Sequence, residues 1–290
     1  MSPLVRAGEL AGELASGAVT GRAPRVLDVR WRLDRPEGRI DYLEGHIPGA
    51  VFVDLERELA APGRPEAGRH PLPAEADFRA AVRRWGIAAG DRVVVYDDND
   101  AVPAARAWWL LRQYGVDVRV LDGGLRSWLR HGLRLERGDV SVRPSRWEGA
   151  PPRTDAVASI DDAALAPQVG VLVDVRAPQH YRGAVPGLDP AAGHIPGAIN
   201  LPTVTHISPE GLLRRGEAIG AQLAHLGIGP DDEVVLYDGS GIASMHSALA
   251  FTLAGYRPRV FVGSWSQWAR SEGRPVAVGP SPAGTIVAAY

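Results

Sequence analysis

The 290-residue sequence contains no cysteine and no lysine. Without cysteine the protein has no disulfide bond, no thiolate metal site and no thiol nucleophile. All 32 cationic side chains are arginines, which excludes any mechanism that needs a Schiff-base lysine. These two absences narrow the chemistry open to the chain before any motif is considered.

Long apolar runs and a strong charge imbalance are missing as well. No run approaches the roughly 18 apolar residues of a membrane span, and residues 1–17 lack the apolar centre of a secretion signal. The formal net charge is −2 and the isoelectric point is about 6.5. We therefore expect a cytoplasmic protein that binds neither nucleic acid nor a membrane.

The sequence does contain an internal repeat. Leu27–Arg30 recurs as Val173–Arg176, and Gly45–Ala50 recurs unchanged as Gly193–Ala198. Two further matches follow in the same order, Trp85–Asp97 with Leu226–Asp238 and Arg119–Trp128 with Arg259–Trp268. Four ordered matches indicate a duplicated unit. We predict domains at residues 1–140 and 157–290, joined by a linker rich in proline and arginine at 141–156.

Each copy alternates short apolar strands with helices. Val93–Tyr96 and Val234–Tyr237 are continuous apolar runs of strand length, whereas Ala104–Tyr114 and Met245–Leu253 have helical spacing. This alternation predicts an α/β fold in which each domain is an open, mainly parallel sheet flanked by helices. Ligands of such sheets bind beyond the carboxyl ends of the strands, so the segments that follow the two apolar runs are candidate sites.

Several motifs together resemble the rhodanese family. They are Asp28-Val29-Arg30, the Gly-His-Ile-Pro-Gly-Ala turn, and Gly123-Gly124 followed by Trp128. The resemblance covers nearly the whole chain and is to the tandem thiosulfate and 3-mercaptopyruvate sulfurtransferases. It implies that the second domain carries the active loop and that the first is structural. We expect no cofactor, and the eight histidines show no metal-ligand spacing, so no metal site is predicted.

The active loop of that family begins with a cysteine, typically in Cys-Gly-Ser-Gly-Val-Thr-Ala. Here Asp238 stands at the cysteine position, and the loop continues with Gly239, Ser240, Gly241, Ile242, Ala243 and Ser244. Backbone N–H groups of such a loop, at a helix N-terminus, cradle negative charge and would stabilise a persulfide. A carboxylate suits the cradle, but its oxygen is a poor nucleophile toward sulfane sulfur. We predict that Asp238 caps the following helix.

In that family, the resemblance implies a second segment that helps to bind the anionic substrate, and this segment also differs from the family pattern here. His180 stands where the family has an arginine, and Arg182 follows two residues later. A neutral histidine binds anions more weakly than arginine does. We expect His180, Arg182 and loop residues 239–244 to form what remains of a site for a small anionic sulfur compound or another anion, with a protein partner also open.

Three hypotheses follow from these features. The first is a degenerate sulfurtransferase that forms no persulfide and binds an anion, a metabolite or a protein. The second is an enzyme with changed chemistry, in which Asp238 is a general base or nucleophile near Ser240, Ser244 and His246. The third is a conventional sulfurtransferase whose cysteine has been replaced. A raised pKa of Asp238 would favour the second, and a lowered pKa would favour the helix cap.

Overall fold

The computed structural model describes residues 2–287, which form two compact units. Unit 1 contains the residues up to Ala61 together with Pro73–Arg153 and Pro209–Leu213. Unit 2 contains Pro62–Leu72, Thr154–Ser208 and the residues from Arg214 onward. The change from one unit to the other at residue 154 falls within the predicted linker. Each unit also includes a short segment from the opposite half of the sequence, which the repeat does not reveal.

Unit 1 is a five-stranded parallel sheet with flanking helices, in the strand order β1-β5-β4-β2-β3. Its strands are β1 (Leu4–Val5), β2 (Arg25–Asp28), β3 (Val51–Phe52), β4 (Arg92–Tyr96) and β5 (Asp117–Leu121). Its helices are α1 (Ala7–Thr20), α2 (Gly38–Glu44), α3 (Leu55–Glu58), α4 (Glu75–Arg84), α5 (Val102–Gln113) and α6 (Gly124–Arg130). The central strand β4 is buried after its first residue, as a helix-covered strand should be.

Unit 2 repeats this topology in the order β6-β10-β9-β7-β8. Its strands are β6 (Val157–Ala158), β7 (Val171–Asp174), β8 (Ile199–Asn200), β9 (Val234–Tyr237) and β10 (Arg259–Phe261). Its helices are α7 (Ile160–Val169), α8 (Pro178–Tyr181), α9 (Gly216–His225), α10 (Ala243–Leu253), α11 (Ser264–Trp268) and a 3₁₀ turn at Thr203–His206. An antiparallel hairpin follows, β11 (Val276–Val278) with β12 (Thr285–Val287). The predicted α/β fold with two similar domains is confirmed.

A buried polar network explains the repeated Asp-Val-Arg motif. In unit 1 the Arg30 guanidinium donates to Asp28 Oδ2 at 2.7 Å and to the Gly45 carbonyl at 2.8 Å. The Tyr96 hydroxyl donates to the same carboxylate and accepts from the Ile47 N–H at 3.1 Å. The matching residues of unit 2 are Asp174, Arg176, Gly193, Tyr237 and Ile195. The network ties two central strands of each sheet to the Gly-His-Ile-Pro-Gly-Ala turn.

The histidines of that turn are fully buried. His46 stacks on Tyr42 with ring centroids 4.1 Å apart, and its Nδ1 lies 2.9 Å from the Tyr42 carbonyl oxygen. His194 stacks on Tyr181 at 3.8 Å with the same kind of hydrogen bond, at 2.8 Å. Matching contacts in both units point to a structural role for both side chains. None of the helices found between residues 2 and 287 has the length and apolar character that crossing a bilayer requires.

Candidate active-site loop of unit 2

The loop between β9 and α10 lies beyond the carboxyl end of a central strand. Gly241 has φ +84°, and a Cβ there would lie 2.2 Å from a neighbouring carbonyl oxygen, so only glycine fits. The Asp238 carbonyl accepts from the Trp265 N–H and the Gly239 carbonyl from the Ser266 N–H, both at 3.0 Å. Tight backbone approach and these bonds to α11 hold the loop in one shape.

The Asp238 side chain turns into its own loop. Its carboxylate accepts hydrogen bonds from the loop backbone and from two serine hydroxyls. Oδ1 accepts from Gly241 N–H (2.8 Å), Ser244 Oγ (2.8 Å) and Ser264 Oγ (3.1 Å), and Oδ2 accepts from Ser240 N–H and Ala243 N–H (both 3.2 Å). The side chain is only 5% exposed. The chain's own carboxylate therefore occupies the anion cradle.

The electrostatics of Asp238 follow from these bonds. Burial acts to raise the pKa of the Asp238 carboxyl. The hydrogen bonds from Ser244 and from the loop N–H groups outweigh burial and hold the pKa below its ordinary value. A carboxylate that stays ionised with its oxygens occupied is poorly suited to accept a proton near neutral pH. The lowered pKa supports a helix-capping role.

The matching aspartate of unit 1 behaves differently. Asp97 Oδ1 accepts from the N–H groups of Asn99 (2.8 Å) and Ala101 (3.0 Å), and Oδ2 accepts from Ala104 N–H at 2.8 Å. Burial raises the pKa of Asp97 to about 6 despite these backbone bonds. No serine or threonine hydroxyl reaches this carboxylate in the part of the chain that the structure describes. The hydroxyl donors distinguish the two loops.

His180 and Arg182 lie on α8 and just after it. His180 is partly buried, whereas Arg182 is exposed. Their described hydrogen bonds are those of their backbones, including a bond from the Gly279 N–H to the Arg182 carbonyl. Between residues 2 and 287, neither side chain forms a hydrogen bond or ion pair with residues 238–244. Their predicted role in binding stays a prediction.

Arg69 is a candidate that the sequence did not indicate. It lies in the segment 62–72 of unit 2, and its Nη2 is 3.1 Å from where a Cβ on Gly239 would stand. Its guanidinium forms an ion pair with the buried carboxylate of Asp189, which also pairs with Arg270. Its backbone N–H donates to Ser266 Oγ at 3.0 Å. Segment 62–72 lies outside every repeated motif, so no sequence signal connected Arg69 with the loop.

Two buried histidines lie in and near the first turn of α10. His246 Nδ1 and Thr203 Oγ1 are 2.6 Å apart, so this ring is engaged with the Thr203 hydroxyl. The His206 ring lies 6.3 Å from that of His246, and burial lowers the pKa of His206 to about 3. Within residues 2–287, no three His, Asp or Glu side chains are grouped as a metal site would require.

The family follows from comparison with known proteins. The model of the Rhodanese-like domain matches residues 7–131 and again residues 155–271. The chain therefore belongs to the rhodanese family and carries two such domains in tandem. The resemblance inferred from the motifs is confirmed.

Relatives match more than nine tenths of the chain. It is 42% identical over 281 residues to SseB of Mycobacterium tuberculosis, covering 95% of this chain and 97% of that protein, whose name provisionally gives it as a thiosulfate sulfurtransferase. The crystal structure of SseA from Escherichia coli, a 3-mercaptopyruvate sulfotransferase, has a TM-score of 0.78 at 32% identity and covers 91% of this chain and 99% of that one. An anaerobic ergothioneine biosynthesis enzyme from Chlorobium limicola has a TM-score of 0.81 at 27% identity, covering 96% and 70%.

Proposed function

We propose that this protein is a rhodanese-family binding protein that forms no persulfide. The observation that carries the proposal is the position of Asp238, whose carboxylate takes up the loop amides and the hydroxyls of Ser244 and Ser264. A sulfane-sulfur relay needs a thiolate at this position, and the chain contains no thiol. The lowered pKa of Asp238 argues against the alternative in which this carboxylate acts as a general base.

The ligand that we propose is a small anion such as thiosulfate or a 2-oxo carboxylate, bound beside the loop by Arg69. Arginine pairs with oxoanions through two parallel N–H bonds. The Arg69 side chain is 26% exposed, and its Nε is buried without a hydrogen-bond partner among the described residues. His180 and Arg182 remain proposed members of this site, and a cytoplasmic location is part of the same proposal.

The test has a turnover arm and a binding arm. Purified protein is assayed for transfer of sulfur from thiosulfate to cyanide, and we expect neither a burst of thiocyanate nor steady turnover. Asp238→Cys is assayed in parallel because it supplies the missing thiol. Sulfur transfer by the unmodified protein at ordinary enzymatic rates would refute the proposal. Robust turnover by Asp238→Cys alone would instead show that the rest of the pocket still supports sulfur transfer.

The binding arm uses calorimetric titration with thiosulfate at low salt. We expect Arg69→Gln to weaken binding about tenfold or more, because a hydrogen bond to a charged group contributes about 1.5–3 kcal/mol. Arg182→Gln tests the predicted second arginine in the same way. Arg39→Gln is the matched control, because Arg39 pairs with Asp139 on the exposed surface of unit 1. Equal affinity in Arg69→Gln and Arg39→Gln would remove Arg69 from the site.

A further inference from the structure

Ser264 occupies a backbone position that favours glycine. It is fully buried at the start of α11, with φ +51°. Its counterpart in unit 1 is Gly124, with φ +53°. The two positions correspond because the next residue in each unit donates its N–H to the carbonyl of the loop aspartate, Trp265 to Asp238 and Leu125 to Asp97. A Cβ on Gly124 would lie 2.3 Å from the Asp97 carbonyl oxygen. A residue with a side chain is strained in this conformation, so the serine needs a compensating interaction.

The Ser264 hydroxyl makes that interaction with Asp238. Its Oγ donates to Asp238 Oδ1 at 3.1 Å and lies 2.9 Å from the Phe261 carbonyl oxygen, so the proton is shared between two acceptors. The same Oγ accepts from the Asp238 N–H at 3.2 Å. One hydroxyl therefore bridges the backbone and the carboxylate of a single residue. Ser244 Oγ, at 2.8 Å from Oδ1, adds a second hydroxyl on the same oxygen.

We propose that Ser264 is a positioning residue that holds the Asp238 carboxylate inside the loop as a built-in anion and so closes the loop amides to external anions. Asp97, which has backbone donors and a glycine at the matching place, lacks this hydroxyl. The proposal deepens the function proposed above and rests on it. Because the Asp238 carboxylate occupies the loop amides, an external anion would bind at Arg69 instead.

Other charged and titratable groups lie near Asp238 and have to stay constant in a test. Arg176 lies close enough to interact with Asp238. It also forms an ion pair with Asp174, whose side chain is 0% exposed. Tyr237 is the last residue of β9 and directly precedes Asp238 in the sequence. Arg69 Nη2 lies 3.1 Å from where a Cβ on Gly239 would stand. Because substitutions at position 264 leave these groups in place, a change in Asp238 can be attributed to the hydroxyl.

The experiment is a carbon-13 NMR titration of the side-chain carboxyls in the full chain, with the Asp238 signal assigned by its loss in Asp238→Asn. We expect Ser264→Gly to raise the pKa of Asp238 by about one unit or more, a tenfold change in its proton-binding constant. Glycine suits the backbone at φ +51°, so this variant should fold. Ser264→Ala removes the hydroxyl but keeps the strain, and an equal shift in both variants identifies the hydroxyl as the cause.

Two controls accompany the titration. Ser271→Ala removes a hydroxyl that donates to the Gln267 carbonyl at 2.9 Å, and it should leave the pKa of Asp238 unchanged. The Asp97 signal is an internal reference in every variant. An unchanged Asp238 pKa in Ser264→Gly would overturn the proposal. The titration contains no thiosulfate and no sulfur acceptor, so this outcome would leave the proposed binding function untouched. That function is tested separately, by the turnover and binding assays described above.

Discussion

At the scale of single residues, Asp97 and Asp238 show that residue type and position do not determine a charge state. Both begin the loop after a central strand, and both accept bonds from backbone N–H groups. Asp238 also accepts from the Ser244 hydroxyl, which with the loop N–H groups holds its pKa below the ordinary value, whereas burial raises the pKa of Asp97 to about 6. Hydrogen bonds to the ionised form outweigh burial in one loop only.

Asp97 should make the stability of unit 1 depend on pH. A carboxyl whose pKa is raised to about 6 binds its proton more tightly in the folded chain than in the unfolded one. Its stabilising contribution is complete below its ordinary pKa and is lost as the pH rises through about 6. The shift corresponds to about 3 kcal/mol at most. The free energy of unfolding by urea, compared between wild type and Asp97→Asn, should show the wild-type advantage shrinking by about 2 kcal/mol from pH 4 to pH 7, because part of the contribution is already lost at pH 4.

Asp238→Asn is the matched control for this measurement. Because the pKa of Asp238 is lowered, its contribution is present above the ordinary pKa of a carboxyl and is lost as the pH falls further. The wild-type advantage over Asp238→Asn should therefore stay nearly constant from pH 4 to pH 7 and shrink only on further acidification. A difference between wild type and Asp97→Asn that does not change with pH would contradict the prediction.

Sequence reasoning identified part of this site. The repeat and the loop motif placed Asp238 at the family's cysteine position. Because the backbone N–H groups of the loop favour a negative charge, a helix-capping role was predicted for its carboxylate. Ser264 could not be identified, because its hydroxyl is aimed by a left-handed backbone turn that no periodicity reveals. Arg69 could not be identified either, since its place near Gly239 depends on a long-range contact of a segment without repeat or regular structure.

At the scale of elements, apolar patterns predicted the strands more closely than the helix starts. The run Val234–Tyr237 matches β9 as observed, and Val93–Tyr96 misses only the exposed first residue of β4. The helix predicted from Met245 begins instead at Ala243. Its first turn is stabilised by the Asp238 carboxylate, which accepts from the Ala243 N–H. The helical spacing of apolar residues indicates the packed face of a helix and not its capped first turn. The predicted start therefore falls after the observed one.

The buried arginine–aspartate pairs of the Asp-Val-Arg motif should contribute strongly to the integrity of each sheet. Arg176→Met leaves the fully buried Asp174 carboxylate without its partner, and we expect a loss of about 3–5 kcal/mol in the free energy of unfolding. Arg30→Met should have a similar effect in unit 1, where Asp28 is equally buried. Urea unfolding measured by far-UV circular dichroism and tryptophan fluorescence gives both values.

The control for these variants is Arg39→Met, which breaks the exposed pair with Asp139. Exposed ion pairs contribute about 0–1 kcal/mol, so this variant should be nearly neutral. The double variant Asp174→Asn/Arg176→Met should recover part of the loss, because no uncompensated charge remains buried. If Arg176→Met were as mild as Arg39→Met, the network would be incidental to stability.

At the scale of the whole molecule, the duplication describes the chain well except for two exchanged segments. Residues 62–72 belong to unit 2 and residues 209–213 to unit 1. In unit 2 the exchanged segment supplies Arg69 and the Glu66 carbonyl, which accepts from Gln267 Nε2 at 2.7 Å. In unit 1 the Leu213 N–H donates to Asp122 at 2.9 Å. Neither half of the sequence contains all the residues of its own unit.

A fragment of residues 154–290 should therefore be less stable than the same fragment with residues 62–72 restored. We expect fusion of 62–72 to its N-terminus through a flexible linker to raise the melting temperature by several degrees, because the Asp189 carboxylate regains Arg69, the second of the two arginines that it pairs with. The same fusion carrying Arg69→Gln is the control, and it should recover less. Identical melting temperatures with and without the segment would show that unit 2 does not depend on it.

The exchange of segments also bears on how the chain folds while it is being synthesised. Unit 1 ends its main portion at Arg153, but its last residues extend to Leu213. At about 5–20 residues per second, the ribosome needs roughly 3–12 s to make the intervening stretch of about 60 residues. The first unit must wait that long for its final strip of chain. A nascent rhodanese of this design finishes its first domain only after much of the second has left the ribosome.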